Sequence, residues 1–327
     1  MTSSASPGSG RSGSSDGASP EPAPIKAIPL RHPGRWIAAV IVIVLFGLFV
    51  YGAATNAAYG WGTYGRYLFD SRIGNGVWIT VQLLVYSMVI AIVLGVVVAV
   101  MRLSPNPVLR SAAWIYLWIF RGTPIYVQLT FWGLVPVIYR EVALGIPFTV
   151  QLATFNLQSL YSAFWFAVIG LALNEAAYMA EIVRAGINSV GEGQVEASTA
   201  LGMSWSQTMR RTVLPQAMRV IIPPTGNEVI SMLKTTSLVI AIPFTGELYG
   251  RARDISGVNF EPVPLLLVAS TWYLVMTSIL MVGQFYLERY YSKGVSRKLT
   301  GRQLQALADA QGGKPLPVQR SSEGGPS

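Results

Sequence analysis

Three ionisable side chains, Glu175, Glu228 and Lys234, stand in stretches otherwise built largely from apolar residues. A charge near the centre of a membrane-spanning segment costs about 2.5–3.5 kcal/mol on insertion scales, so each marks an interior or working position. Polar neighbours accompany them: Asn174 precedes Glu175, and Thr236 and Ser237 follow Lys234. Together these groups could oppose both signs of charge on a small polar solute, Lys234 against an anion and Glu175 or Glu228 against a cation. The alternative is structural, with Lys234 paired to a carboxylate that holds helices together, or placed at a subunit interface. Covalent and metal chemistry have little to work with. The chain has no cysteine and one histidine, His32, in a polar tail, which excludes thiolate chemistry and argues against a histidine-based metal or acid–base site. No Gly-x-x-x-x-Gly-Lys-Ser/Thr phosphate loop occurs: Gly313-Lys314 runs into Pro315, and Gly191-x-Gly193 meets Glu196 where a dinucleotide fingerprint needs glycine.

The segments that must position these residues are those of an all-α integral membrane protein. Hydrophobic residues make up 52% of the 327 and charged ones only 12%, where a soluble domain carries roughly 25%. After a Ser/Gly/Pro-rich tail at 1–34, too poor in apolar residues to fold, Ile37–Val50 forms an unbroken apolar run between Trp36 and Tyr51. Gly52-Ala53-Ala54 would suit cleavage of a signal peptide, but the long preceding tail and the later spans favour a retained helix. Five further spans follow, at Val77–Met101, Ala112–Ile138, Ser159–Ile182, Val220–Phe244 and Pro264–Leu287. Each has the ~20 residues that cross a bilayer core. Arg121-Gly122-Thr123-Pro124 interrupts the third, whose first part could lie along the interface on Trp114, Tyr116 and Trp118.

Six spans put both termini on one side. Of the 24 basic residues, only Arg66, Arg72, Arg140, Arg251 and Arg253 then fall on the other side, with Lys234 inside a span. The crowded side is cytoplasmic by the positive-inside rule, which accounts for the net charge of +9 without nucleic acid.

The cytoplasmic loop at 184–219 carries its own helix signals. Gln194–Leu201 is a good helix former ended by Gly202, and Ser204 with Gln207 three residues on fits a capping box. The second helix should place Trp205, Met209 and Val213 on one face and end at Pro215. Ala197, Ser198 and Ala200 permit close approach of a partner, and Glu196 near the helix start could meet a basic group. A hairpin lying on the membrane surface fits these signals equally well.

Gly193-Gln-Val-Glu-Ala-Ser-Thr-Ala-Leu-Gly202, followed by Leu214-Pro215-Gln216-Ala217, resembles the cytoplasmic "EAA" loop of ABC importer permeases. The flanks are similar to the polar-amino-acid branch of that family, the histidine/glutamine/glutamate type. They include Asn75-Gly76-Val-Trp-Ile-Thr80-Val-Gln82, Phe120-Arg121-Gly122-Thr123-Pro124 and Leu173-Asn174-Glu-Ala-Ala-Tyr178-Met-Ala-Glu181. Pro224-Thr-Gly226-Asn227 and Leu233-Lys234-Thr-Thr-Ser237-Leu238 continue the series in order. The likeness covers residues 73–292. It departs at Ser198, where the motif has alanine, and at Thr212, usually aliphatic, which leaves packing of the second loop helix open.

The resemblance implies a five-helix permease core, preceded here by an extra transmembrane helix and external segment (35–72) and followed by a cytoplasmic tail (293–327). It implies a permease subunit, with no ATPase of its own, of a binding-protein-dependent importer that carries a polar amino acid into the cell. Glu196, Ala197, Ser198, Gly202, Leu214 and Pro215 would couple it to a cytoplasmic ATPase, which holds the ATP and Mg²⁺; the chain itself needs no cofactor. The other implied partners are an extracytoplasmic amino-acid-binding protein, a second permease subunit and membrane lipid. Asn174, Glu175, Glu228, Lys234, Thr236 and Ser237 are the candidates for the substrate pathway, since a zwitterion needs both signs of charge opposed. The outer segment Gly246–Glu261 either receives the binding protein or is a solvated connection. An ion-coupled secondary transporter is the alternative, but it should show an internal repeat and has no use for the EAA loop.

Overall fold

The computed structural model describes residues 33–139, 141–146, 150–156 and 162–291. The tails at 1–32 and 292–327, with His32, Gly313 and Lys314, and Arg140 lie outside the described residues. The chain divides into two units after Asn56. The first contains α1 (Pro33–Thr55), a single helix long and apolar enough to cross a membrane.

The second unit begins with a 3₁₀ turn at Ala57–Tyr59, α2 (Trp61–Leu68) and α3 (Ser71–Leu103). Asp70 caps α3, its side chain accepting from the Arg72 N–H at 2.8 Å. The expected third span is two helices, α4 (Pro107–Gly122) and α5 (Ile125–Ile138), with Thr123 and Pro124 extended between them. Proline disfavours helical φ/ψ in the residue before it, so the chain breaks where Thr123-Pro124 stands. An antiparallel hairpin follows, β1 (Glu141–Ile146) paired with β2 (Val150–Asn156) and irregular between Leu144 and Gly145. The sequence reading has no element there; the helical core carries this hairpin as an addition.

The chain continues through α6 (Ala163–Asn188), α7 (Glu192–Ala200), α8 (Trp205–Thr208), a π turn at Met209–Val213 and α9 (Leu214–Thr235). A 3₁₀ turn at Thr236–Ala241, α10 (Leu248–Asn259) and α11 (Pro262–Tyr291) complete it. Among the described residues, α1, α3, α6 and α11 have the length and hydropathy of membrane spans, and α5 is a shorter apolar helix. The expected fifth span is α9 with its 3₁₀ extension. It falls short in hydropathy because Pro223, Pro224, Glu228 and Lys234 interrupt its apolar face.

Small residues set the centre of the bundle. Ala91, Gly95 and Ala99 recur every fourth position on α3 and face Ala172, Ala176 and Ala180 of α6, all buried. The helices approach so closely that a Cβ on Gly95 would stand 2.5 Å from that of Met179. Small residues of this kind let helix backbones meet in lipid, where no hydrophobic force draws helices together. Around this seam, Ile73, Leu83, Leu129, Leu171, Met232 and Leu265 fill the core.

The segment Gly246–Glu261 is not a solvated connection. Most of it is α10, which buries Leu248, Gly250, Ala252 and Ile255. Its spacing is helical: Leu248, Ala252 and Ile255 lie on one face, and the helix packs against α3 and α11.

Candidate functional site

The polar residues inside the bundle fall into two groups. In the first, Asn174 donates from Nδ2 to the Phe120 carbonyl and to Gln128 Oε1, both at 3.0 Å. Gln128 in turn donates from Nε2 to the carbonyls of Phe120 and Thr123, each at 3.0 Å, and to Thr123 Oγ1 at 2.7 Å. The break between α4 and α5 frees backbone carbonyls from their helical partners, and these two amides replace the missing partners. Asn174 is therefore committed to holding the break, and Gln128, which sequence reasoning passed over, shares the work.

One residue further along α6, Glu175 is 7% exposed, and its Oε1 has no hydrogen-bond partner. Its carboxyl meets that of Glu228 from α9. Two carboxyls in contact, Glu175 buried and Glu228 half-buried, favour a proton or a cation beside them, so this pair is equipped to take up positive charge.

Lys234 does not join them. Its side chain is exposed on the single chain, and among the described residues it has no carboxylate within ion-pair distance. Thr236 is fully buried and donates to the Leu233 carbonyl at 2.6 Å; Ser237 donates to that of Lys234 at 2.7 Å. Both hydroxyls are turned back onto their own helical turn, so neither stands beside the Glu175–Glu228 pair.

The second group was not legible in the sequence. Glu247 is fully buried; it caps α10 by accepting from the backbone N–H of Tyr249 at 2.8 Å and of Gly250 at 2.5 Å. Tyr273 of α11 donates its hydroxyl to Glu247 Oε2 at 3.0 Å, and Tyr273 also meets Thr80 and Thr236. The Leu248 N–H donates to Thr80 Oγ1 at 3.1 Å. Burial pushes the Glu247 carboxyl up to about 7, against the pull of its donors. An acidic residue just before a helix is an ordinary cap signal, and nothing local marks this one as buried.

The loop between α6 and α9 is built as a helical hairpin. α7 ends in a Schellman motif: the Gly202 N–H donates to the Thr199 carbonyl at 2.9 Å and the Met203 N–H to that of Ser198 at 3.1 Å. Gly202 sits at φ 75°, a conformation that costs any residue with a Cβ. The Ser204–Gln207 capping box forms reciprocally, as the spacing predicts. Pro215, however, does not end the helix. The chain runs through it into α9, because Pro215 falls in that helix's first turn, after the π turn has widened the backbone. The expected apolar face is also rotated: Val213 is buried, Met209 half-buried and Trp205 76% exposed.

Ser198 and Thr212, the two departures from the motif, answer each other. Ser198 is buried, and its hydroxyl lies 2.9 Å from that of Thr212. Ser198 thus holds α7 onto the π turn rather than facing outward. Glu196, Ala197 and Gly202 are exposed, as are Leu214 and Pro215. Leu201, at 82%, and Trp205 add exposed apolar surface. A cavity of about 590 Å³ beside the hairpin is lined by Glu192, Val195 and Glu196, with Met209 and Val213 at its floor.

Membrane-length helices, polar side chains that stitch a helix break, and an exposed capped hairpin define a membrane transport subunit whose loop can be gripped from outside the bilayer. The chain belongs to the family of binding-protein-dependent transport system inner membrane components, which its residues 91–293 match. It is 63% identical over 296 residues to the arginine transport system permease protein ArgU of Corynebacterium glutamicum, covering 90% of this chain and 92% of that one. It is 35% identical to the histidine/lysine/arginine/ornithine transport system permease protein HisM of Salmonella typhimurium, covering 68% of this chain and 92% of that one. A crystal structure of an amino acid ABC transporter with histidines superposes with a TM-score of 0.56 at 32% identity, covering 67% of this chain and 94% of its counterpart. The MetNI methionine ABC transporter, at 17% identity and a TM-score of 0.54, shares the fold. The chain is thus a multi-pass inner-membrane permease subunit that works with an ATPase and a binding protein, ATP hydrolysis belonging to the separate ATPase subunit.

Proposed function

We propose that this chain passes a cationic amino acid, arginine or a close relative, into the cytoplasm through the membrane part of an ATP-driven importer. The observation that carries the reading is the Glu175–Glu228 pair, in which Glu175 is buried in the bundle with one carboxylate oxygen unsatisfied and Glu228 is half-buried. A guanidinium or ammonium group brings the positive charge and the donors that this pair lacks. Relatives named for transport of arginine, of histidine, lysine, arginine and ornithine, and of nopaline support the same substrate class.

In this reading both termini and the α7–α8 hairpin lie in the cytoplasm, in keeping with the distribution of basic residues. Glu196, Ala197, Gly202, Leu201 and Trp205 form the seat of the ATPase, whose own ATP and Mg²⁺ drive the cycle. Ser198 holds the seat in place, while Leu214 and Pro215 lead it into α9. Two permease subunits pair in the membrane, and closure of the ATPases moves their hairpins together and opens the bundle outward. Lys234, without an ion-pair partner among the described residues, lies toward the second subunit.

The test is uptake of radiolabelled arginine by the reconstituted importer carrying Glu175→Gln or Glu228→Gln. Loss of a charge-assisted contact of about 1.5–3 kcal/mol should cut uptake at subsaturating arginine by roughly 10- to 150-fold, with assembly intact. Wild-type uptake in both variants would exclude the pair from the path.

A further inference from the structure

A second polar cavity, of about 510 Å³, opens where the end of α3 meets α4 and α6, and neither Glu175, Glu228 nor a hairpin residue lines it. Arg102 and Arg121 line it, together with Trp114, Trp118 and Tyr178. Among the described residues neither arginine has an ion-pair partner; Arg121 lies over the Tyr178 ring, 5.4 Å from its centroid. The carboxylate at the rim, Glu181, is already taken: Arg184 donates to its Oε2 from Nε at 3.1 Å and from Nη2 at 2.7 Å. The cavity therefore presents two guanidiniums against one carboxylate that already serves a third, a net preference for an anion.

Its surroundings say which anion. Trp114 and Trp118 stack nearly parallel, 6.2 Å apart and inclined by 5°, and both are exposed. Val108, Ile115 and Ile119 carry the apolar surface along α4 beside them. Tyr116, expected as a third interfacial anchor, turns inward and donates to the Leu173 carbonyl at 2.5 Å. An exposed tryptophan pair beside paired arginines and an aliphatic flank suits the boundary between headgroups and acyl chains. A soluble anion has no use for that flank. A cationic cargo would be repelled.

We propose that this cavity binds the phosphodiester headgroup of an acidic phospholipid of the cytoplasmic leaflet, Arg102 and Arg121 holding the phosphate and Trp114 and Trp118 the glycerol backbone. The leaflet assignment rests on the orientation proposed above; the binding chemistry does not.

The test is native mass spectrometry of the assembled importer, delipidated in detergent and titrated with phosphatidylglycerol or phosphatidylcholine. The wild type should retain phosphatidylglycerol in preference to phosphatidylcholine. Arg102→Gln with Arg121→Gln should weaken retention about 30-fold, roughly five-fold per arginine near an anionic lipid surface. Arg110→Gln, on the same helix but outside the cavity, should change it little. Equal loss from Arg110→Gln, or no preference for phosphatidylglycerol, would overturn the site. Displacement by millimolar inorganic phosphate as effectively as by lipid would also overturn it, making the ligand a soluble phosphate. Orientation is read separately. The chain has no cysteine, so Arg110→Cys reports through an impermeant thiol reagent whether α4 begins in the cytoplasm. Arginine uptake in phosphatidylcholine vesicles separates failure of the lipid site from failure of the transport reading.

Discussion

Replacing Gly202 with alanine should loosen the end of α7 without disturbing anything packed against it. At φ 75° an added Cβ pays about 1–2 kcal/mol, and no atom lies within 4 Å of where it would stand, so the cost is one of backbone alone. That cost should raise the open population of the Schellman turn by roughly 5- to 30-fold. The Gly202 and Met203 amides, bonded to the carbonyls of Thr199 and Ser198, report this directly, since their hydrogen exchange should accelerate by the same factor. Arginine uptake by the reconstituted importer should fall in step, because an ATPase can push only on a helix that holds its end. Gly202→Asn should lie between wild type and Gly202→Ala, as asparagine tolerates the left-handed region better. Wild-type exchange in Gly202→Ala would refute the backbone argument. Faster exchange with undiminished uptake would refute the placement of the ATPase on α7.

Three further outcomes follow from the geometry. Ser198→Ala or Thr212→Val alone should cost about 1 kcal/mol, and the double variant less than the sum, because an apolar pair leaves no hydroxyl unsatisfied; thermal melts of the four proteins close the cycle. Asn174→Leu should expose the Phe120 carbonyl and lower stability by about 1–3 kcal/mol, with Gln128→Leu acting on the same carbonyl and therefore non-additively, as denaturation of the purified chain would record. Glu247, whose carboxyl is raised to about 7 on folding, gives stability that is complete below the ordinary glutamate range and lost as pH rises through 7. The melting temperature of the wild type should therefore fall between pH 5 and 8, and that of Glu247→Gln should fall less over the same range; an unchanged fall would refute the role given to Glu247.

The local signals in the loop were legible because capping is decided within a turn. Ser204 and Gln207 and Gly202 need only their own backbone, and each stands where its spacing placed it, whereas α7 begins at Glu192, two residues before the expected Gln194. Pro215 was misread for the same reason in reverse. Its effect depends on the preceding π turn, which goes with the burial of Thr208 and Val213 within the hairpin and of Ala217 in the bundle. Gly246–Glu261 by itself reads equally as a surface for the binding protein or as a solvated connection, because Arg251, Arg253 and Asp254 stand out in it. The buried face of Leu248, Ala252 and Ile255 appears only when α3 and α11 are there to receive it.

Sequence alone determined the class of the protein: apolar spans, the asymmetry of basic residues and an ordered series of motifs all depend on composition and short spacing. It also singled out Glu175 and Glu228, because a charge in an apolar run stands out wherever the run goes. Tertiary structure alone decided what each polar residue is for. It brought the two glutamates together and left Lys234 apart. It set Asn174 and Gln128 to closing a helix break, and buried Glu247 beneath α10. Those roles depend on which helices cross and at what distance. That is settled by close packing of small residues such as Ala91, Gly95 and Ala176 across the bundle, contacts that no window of consecutive residues contains.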